Sequence, residues 1–151
     1  MTEKFSFQID HLRGLVRITM KGLFTPDDVA DFVRERRRVH RDLGCGPNMH
    51  LTLNDVRGMK IQSQEVVTAF REMLGDPDQR SRRLAFVASR TLARGQLIRA
   101  LSSRREARCF EDVASAEAWL LAEDLQASPS HRARSLTSVR PEVDRADRAV
   151  A

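Results

Sequence analysis

LTLNDVRGMKIQSQEVV, residues 51–67, decides what kind of protein this chain makes. Leu51 and Leu53 alternate with Thr52 and Asn54, the period of a strand, and Asp55 stands at its end. Arg57-Gly58-Met59-Lys60 reads as a loop. Ser63 then precedes an amphipathic run in which Val66, Val67, Phe70, Met73 and Leu74 recur at helical spacing, so Ser63 is a natural N-cap. A strand, a loop and a helix start make up the repeating unit of α/β proteins, where ligands gather at the carboxyl ends of strands.

The same unit extends in both directions. Upstream, Phe5, Phe7 and Ile9 alternate with Ser6 and Gln8, and Val16, Ile18 and Met20 alternate with Arg17, Thr19 and Lys21. Residues 10–14, closed by Gly14, join the two runs as a β-hairpin. Thr25-Pro26-Asp27-Asp28 then starts a helix: Thr25 caps, Pro26 fits the first position, and Asp28 completes a capping box. That helix is expected to reach Leu43, where Gly44-Cys45-Gly46-Pro47 stops it. Downstream, Gly75-Asp76-Pro77-Asp78 ends the second helix. Leu84–Ala88 reads as a buried central strand, Thr91–Ser103 as a third helix, Ala107–Phe110 as a last strand, and Ala114–Asp124 as a helix anchored by Trp119 and Leu120.

The predicted order is β-β-α-β-α-β-α-β-α, a mixed α/β sheet of about five strands opened by a hairpin. Right-handed crossovers, with each parallel strand added beside its predecessor, put the helices on one face. The opposite face is expected to be open and polar. Taking Leu51 and Leu53 as the inward pair assigns Arg17, Thr19, His50, Thr52 and Asn54 to that open face, a candidate interaction surface. A second candidate site, for a small ligand or an anion, comprises Asp55, Arg57, Lys60 and Ser63 at the strand–helix junction, with Arg94 from the third helix.

Composition narrows the rest. With 151 residues, 41% apolar and 31% charged, the chain is expected to form one domain over 1–125. From Gln126 onward, Ala, Ser, Arg and Pro dominate, too little apolar surface to offset ordering entropy, so 126–151 reads as a flexible tail. The start of the chain runs straight into a strand pattern and no apolar run nears the ~20 residues of a membrane span, so the protein is expected in the cytoplasm without membrane insertion. Cys45 and Cys109 form no CxxC pair and read as free thiols. The histidines show no ligand spacing; neither a metal nor a cofactor is expected. Between Gln79 and Arg108 nine arginines face one acid, Glu106, for a net +8. Without aromatic stacking residues beside it, this Arg80–Arg108 stretch reads as a solvated surface rather than a nucleic-acid site.

The stretches GLVRITMKGLFTPDDVADF, NDVRGMKIQSQEVVTAF, RRLAFVASRTLARGQ and CFEDVASAEAWL carry a resemblance over residues 5 to about 122. In element order the chain resembles the STAS-type fold of bacterial anti-sigma-factor antagonists, and more closely the small bacterial SpoIIAA-like (STAS/SEC14-domain-like) proteins. In the antagonists the strand–helix junction carries a D-S-S-G type motif with a phosphorylatable serine. An ungapped match anchored on Asp55 puts Ser63 on the family's acidic position and Glu65 where that serine stands. The hydroxyl is therefore out of register, and Ser63 is a cap first. The resemblance implies a non-enzymatic regulatory or ligand- and protein-binding module, whose partner is another protein or a second copy of itself. Its SEC14-like part implies the alternative of a carrier for a hydrophobic or amphipathic small molecule. A third reading is binding of nucleic acid or an acidic partner through the Arg80–Arg108 surface.

Overall fold

The computed structural model describes residues 3–46, 48–91, 95–96, 98–99 and 105–122. They form a five-stranded sheet in the order β1-β2-β3-β4-β5. The strands are β1 (Phe5–Asp10), β2 (Leu15–Gly22), β3 (Leu51–Met59), β4 (Arg83–Val87) and β5 (Ala107–Phe110). β1 and β2 are antiparallel; every later pairing is parallel. The expected mixed α/β architecture, opened by a hairpin, is the one observed. The expected tail over 126–151 and most of the expected third helix lie outside the described residues, although 95–96 and 98–99 are helical.

Local chemistry explains the elements. The hairpin turn closes with Gly14 at φ 63°, while Asp10 Oδ1 accepts from the Arg13 N–H. Helix α1 (Pro26–Leu43) opens on a full capping box: Thr25 Oγ1 accepts from Asp28 N at 3.1 Å, and Thr25 N donates to Asp28 Oδ2 at 2.8 Å. Gly44, left-handed at φ 77°, ends it. Helix α2 (Gln64–Leu74) is capped by Ser63, whose Oγ accepts from Val66 N. Near its end β3 carries one extra residue: Thr19 pairs with Asp55, but Lys21 pairs with Gly58. A Cβ on Gly58 would lie 2.9 Å from the Lys21 Cβ, so only glycine lets the bulge close.

Register shows which side chains share a face, because cross-strand partners point the same way. Phe7, Ile18, Asn54, Phe86 and Cys109 form one such row; Ile9, Val16, Thr52 and Leu84 form the next. This face packs on α1 and α2 through Val29, Phe32, Val39 and Val66. Phe32 is the hub, its ring 5.2 Å from Phe5, 5.3 Å from Phe7 and 6.2 Å from Phe70.

The opposite face carries Leu15, Leu51 and Arg83 in one row and Arg17, Leu53, Ala85 and Arg108 in the next. It is not open. Residues 113–122 are helical, and 113–120 lie over it. Glu117 Oε2 accepts from Arg17 Nε and Nη2 at 2.8 and 2.6 Å, and Arg83 stacks 3.8 Å above the Trp119 ring. Ala116 and Leu120 are fully buried.

Two expectations are thereby corrected. His50, Thr52 and Asn54 are 5%, 5% and 6% exposed and lie beneath α1 and α2, so they form no surface with Arg17 and Thr19. Arg17 and Thr19 do lie on the second face, but there Arg17 is engaged by the last helix. The handedness rule constrains helices that cross between parallel strands. Among the described residues the helix after β5 joins no further strand, and it is free to cover the other side.

Removing the hub ring leaves a cavity that three helix and strand surfaces cannot jointly close. Phe32→Ala should destabilise the fold by about 3–5 kcal/mol in chemical denaturation, and Phe86→Ala, buried in the central strands, by a similar amount. An unchanged midpoint in either variant would contradict this packing.

Candidate functional site

At the carboxyl ends of β3 and β4, the sheet and α2 enclose a cleft of about 430 Å³. That is within the ~300–1,000 Å³ usual for small-molecule sites. Met20, Val56, Met59, Phe70, Met73 and Phe86 supply much of its wall. Methionine is well suited to such a lining, since its unbranched thioether adapts to ligands of varied shape. Arg57, Lys60, Ser89, Thr91 and Gln96 also border the cleft, and Asn54 reaches it from the strand interior.

One side of the cleft is fastened by Gln62, which is buried. Its Oε1 accepts from Phe24 N at 2.9 Å and its Nε2 donates to Gly22 O at 3.0 Å and to Lys60 O. Gln62 N donates to Gln96 Oε1, and Gln96 Nε2 donates back to Gln62 O, both at 3.2 Å. This glutamine pair ties the ends of β2 and β3 to the helical residue 96. Sequence reasoning passed over Gln62; a glutamine just before an N-cap carries no pattern that marks it.

The residues expected to form the anion site do not converge. Asp55 Oδ1 and Oδ2 accept from Arg57 Nε at 2.9 Å and Nη2 at 2.7 Å. The guanidinium hydrogen bonds hold the Asp55 carboxyl below its usual range. Asp55 pairs in register with Thr19 and Val87, on the face away from the cleft. Ser63 spends its oxygen on the cap of α2. Arg57 and Lys60 border the cleft, and Arg94 lies outside the described residues.

Behind Asn54, on the same face, a polar row fills the space beneath α1. Thr52 Oγ1 and Ser81 Oγ are 2.7 Å apart, Ser81 Oγ and His50 Nε2 3.3 Å apart. The rings of His50 and His40 are 4.2 Å apart, and His40 Nδ1 donates to Gln79 Oε1 at 2.7 Å. Burial, joined by the neighbouring His40 and Arg36, pushes the His50 pKa down to about 4. Burial likewise lowers that of His40. Both rings are neutral at physiological pH. Among the described residues no group of three or more His, Cys, Asp or Glu converges as a metal site, and no helix is long and apolar enough to cross a membrane.

No family model matches the chain, and no curated protein sequence does. Solved structures do. One is an uncharacterized protein of the DUF3478 family with a SpoIIAA-like fold from Shewanella loihica PV-4. It is 16% identical, with a TM-score of 0.62 over 80% of this chain and 98% of that one. Another is an anti-sigma factor antagonist from Mycobacterium paratuberculosis, 9% identical, with a TM-score of 0.53 over 77% of this chain and 93% of that one. The fold of this chain is SpoIIAA-like.

Two measurements check the roles assigned to these residues. Ser63→Ala should cost about 0.5–2 kcal/mol of stability, whereas Ser63→Asp, also a good cap, should be nearly neutral. For His50 the folded pKa of about 4 lies below the reference 6.5, so the unfolded chain binds protons first as the pH falls. Its contribution is therefore complete above pH 6.5 and is lost on acidification toward pH 4. Between pH 7 and pH 5 His50 should account for about 2 kcal/mol of lost stability, at ~1.4 kcal/mol per pH unit. His50→Gln should flatten that dependence in denaturant titrations; a slope unchanged in the variant would contradict it.

Proposed function

We propose that this domain is a non-enzymatic binding module that holds a hydrophobic or amphipathic small molecule in the cleft at the carboxyl ends of β3 and β4. The observation that carries this reading is the cleft itself, about 430 Å³ and walled by methionine, valine and phenylalanine side chains. A well-packed interior keeps few voids larger than a water molecule. Apolar side chains that line such a space gain contacts when a ligand fills it. Lys60 at its border supplies a cationic group for the polar end of an amphipathic molecule.

The non-enzymatic reading draws on how the titratable groups are used. Asp55 is committed to Arg57, and His40 and His50 are buried among structural partners. Acid–base chemistry calls for such groups to converge on a substrate. A second reading, regulation through contact with a protein partner or a second copy of the chain, is favoured by the likeness to an anti-sigma factor antagonist. The two readings are compatible if the ligand alters what the partner meets.

A fluorescent apolar anion, 1-anilinonaphthalene-8-sulfonate, tests the cleft. The natively folded chain should bind it saturably. Ser89→Trp, an exposed position at the cleft, should weaken that binding about tenfold or more by filling the space, equivalent to ~1.4 kcal/mol, with the circular dichroism unchanged. Binding of equal strength in the variant, or none in the wild type, would remove the cleft from consideration.

A further inference from the structure

We propose that Asn54 is the polar anchor of this cleft and selects ligands that carry a hydroxyl or amide able to donate a hydrogen bond at its inner end. The inference rests on the reading of the cleft as a binding site and adds the chemistry of the ligand.

Asn54 stands on the central strand β3, 6% exposed, beneath the helices. Its register neighbours are Ile18 on β2 and Phe86 on β4, both apolar. Asparagine is disfavoured in strands, and here it interrupts an apolar row. Thr52, two residues earlier on the same face, is hydrogen-bonded to Ser81. Asn54 differs: its Oδ1 is buried and has no hydrogen-bond partner among the described residues. A buried acceptor left without a donor costs free energy that a leucine of similar size would not. A protein that keeps such a group inside has a use for it.

Position supplies the use. Asn54 borders the cleft on one side and a small void of about 20 Å³ on the other. The last torsion of an asparagine side chain is broad, so the amide can turn its carbonyl toward either space. Arg57 lies three residues along β3, about 10 Å away at a strand rise of ~3.3 Å per residue. Its guanidinium is already engaged by Asp55, so a carboxylate or phosphate is drawn to Lys60. With its carbonyl turned into the cleft the amide presents a neutral acceptor at the inner end, and such an acceptor calls for a neutral donor.

The probes are 1-decanol and its methyl ether, which match in chain but differ in the ability to donate. Each is used to displace 1-anilinonaphthalene-8-sulfonate from the full chain. Wild type should be displaced by the alcohol at about tenfold lower concentration than by the ether, the scale of one added hydrogen bond. Asn54→Leu and Asn54→Ala, the second adding no bulk, should both treat the two probes alike, and Asn54→Leu should raise the denaturant midpoint. Equal displacement from the wild type by alcohol and ether would overturn the anchor and leave the cleft standing. If neither probe displaced the fluorophore, both readings would fall. A preference kept by both variants, with a lower midpoint in Asn54→Leu, would assign Asn54 to a structural role, such as holding a water in the small void, and would overturn the proposal.

Discussion

Over its first four residues, Leu51–Asn54, β3 has no solvent-facing side. It pairs in parallel with β2 and with β4, and parallel pairing requires crossover helices, which right-handedness sends to one face. The helix after β5 covers the other face through Glu117 and Trp119. Leu51 to Asn54 are consequently all buried, two residues to each side. Each polar side chain in this stretch, Thr52 and Asn54, needs a partner in place of bulk water. Thr52 meets that demand through Ser81 and His50. The same demand, unmet at Asn54 Oδ1, makes that atom conspicuous.

That constraint also governs the histidines. A charged imidazole beneath α1 would have to shed its hydration with Arg36 and a second imidazole close by, so the neutral form prevails. Neutral rings can lie 4.2 Å apart, tilted at 48°, and share hydrogen bonds with Gln79 and Ser81. Polar residues thus fill the space under α1 without a net buried charge from the histidines. The apolar space remaining on this face is concentrated toward the other end of β3 and β4, where methionines and phenylalanines surround the cleft.

Much of this was legible in the chain. Alternation fixed the hairpin, and Thr25-Pro26-Asp27-Asp28 and Ser63 marked both helix starts because capping is local chemistry. The phase of β3 was misread. In a strand covered on both sides, alternation no longer says which face is inward, and Leu51 and Leu53 look the same whichever helix they serve. One signal pointed the right way: an amphipathic segment with Trp119 and Leu120 after the last strand needs an apolar surface of its own. The site was less legible still. Met59 read as a loop residue and Met73 as one apolar position of a helix, and a cleft is a matter of how side chains fail to fill space, which no pattern of residue types records. Asp55 and Arg57 looked like ligand groups and are partners of each other.

Sharing a fold with proteins at 16% and 9% identity limits what the likeness conveys. A five-stranded mixed sheet opened by a hairpin is compatible with many sequences that satisfy its turns, helix caps and covered faces, so it carries little information about a ligand or partner. What is particular to this chain is the set of choices those rules leave open. Any β-branched or apolar residue would serve the sheet at position 54, yet the chain places an amide there. Tighter packing would serve stability at the ends of β3 and β4, yet a space of about 430 Å³ is kept. Both choices work against stability, and both occur at the same end of the sheet. A fold shaped by persistence alone favours filling the space and replacing the amide, and the proposed binding role rests on the coincidence of the two.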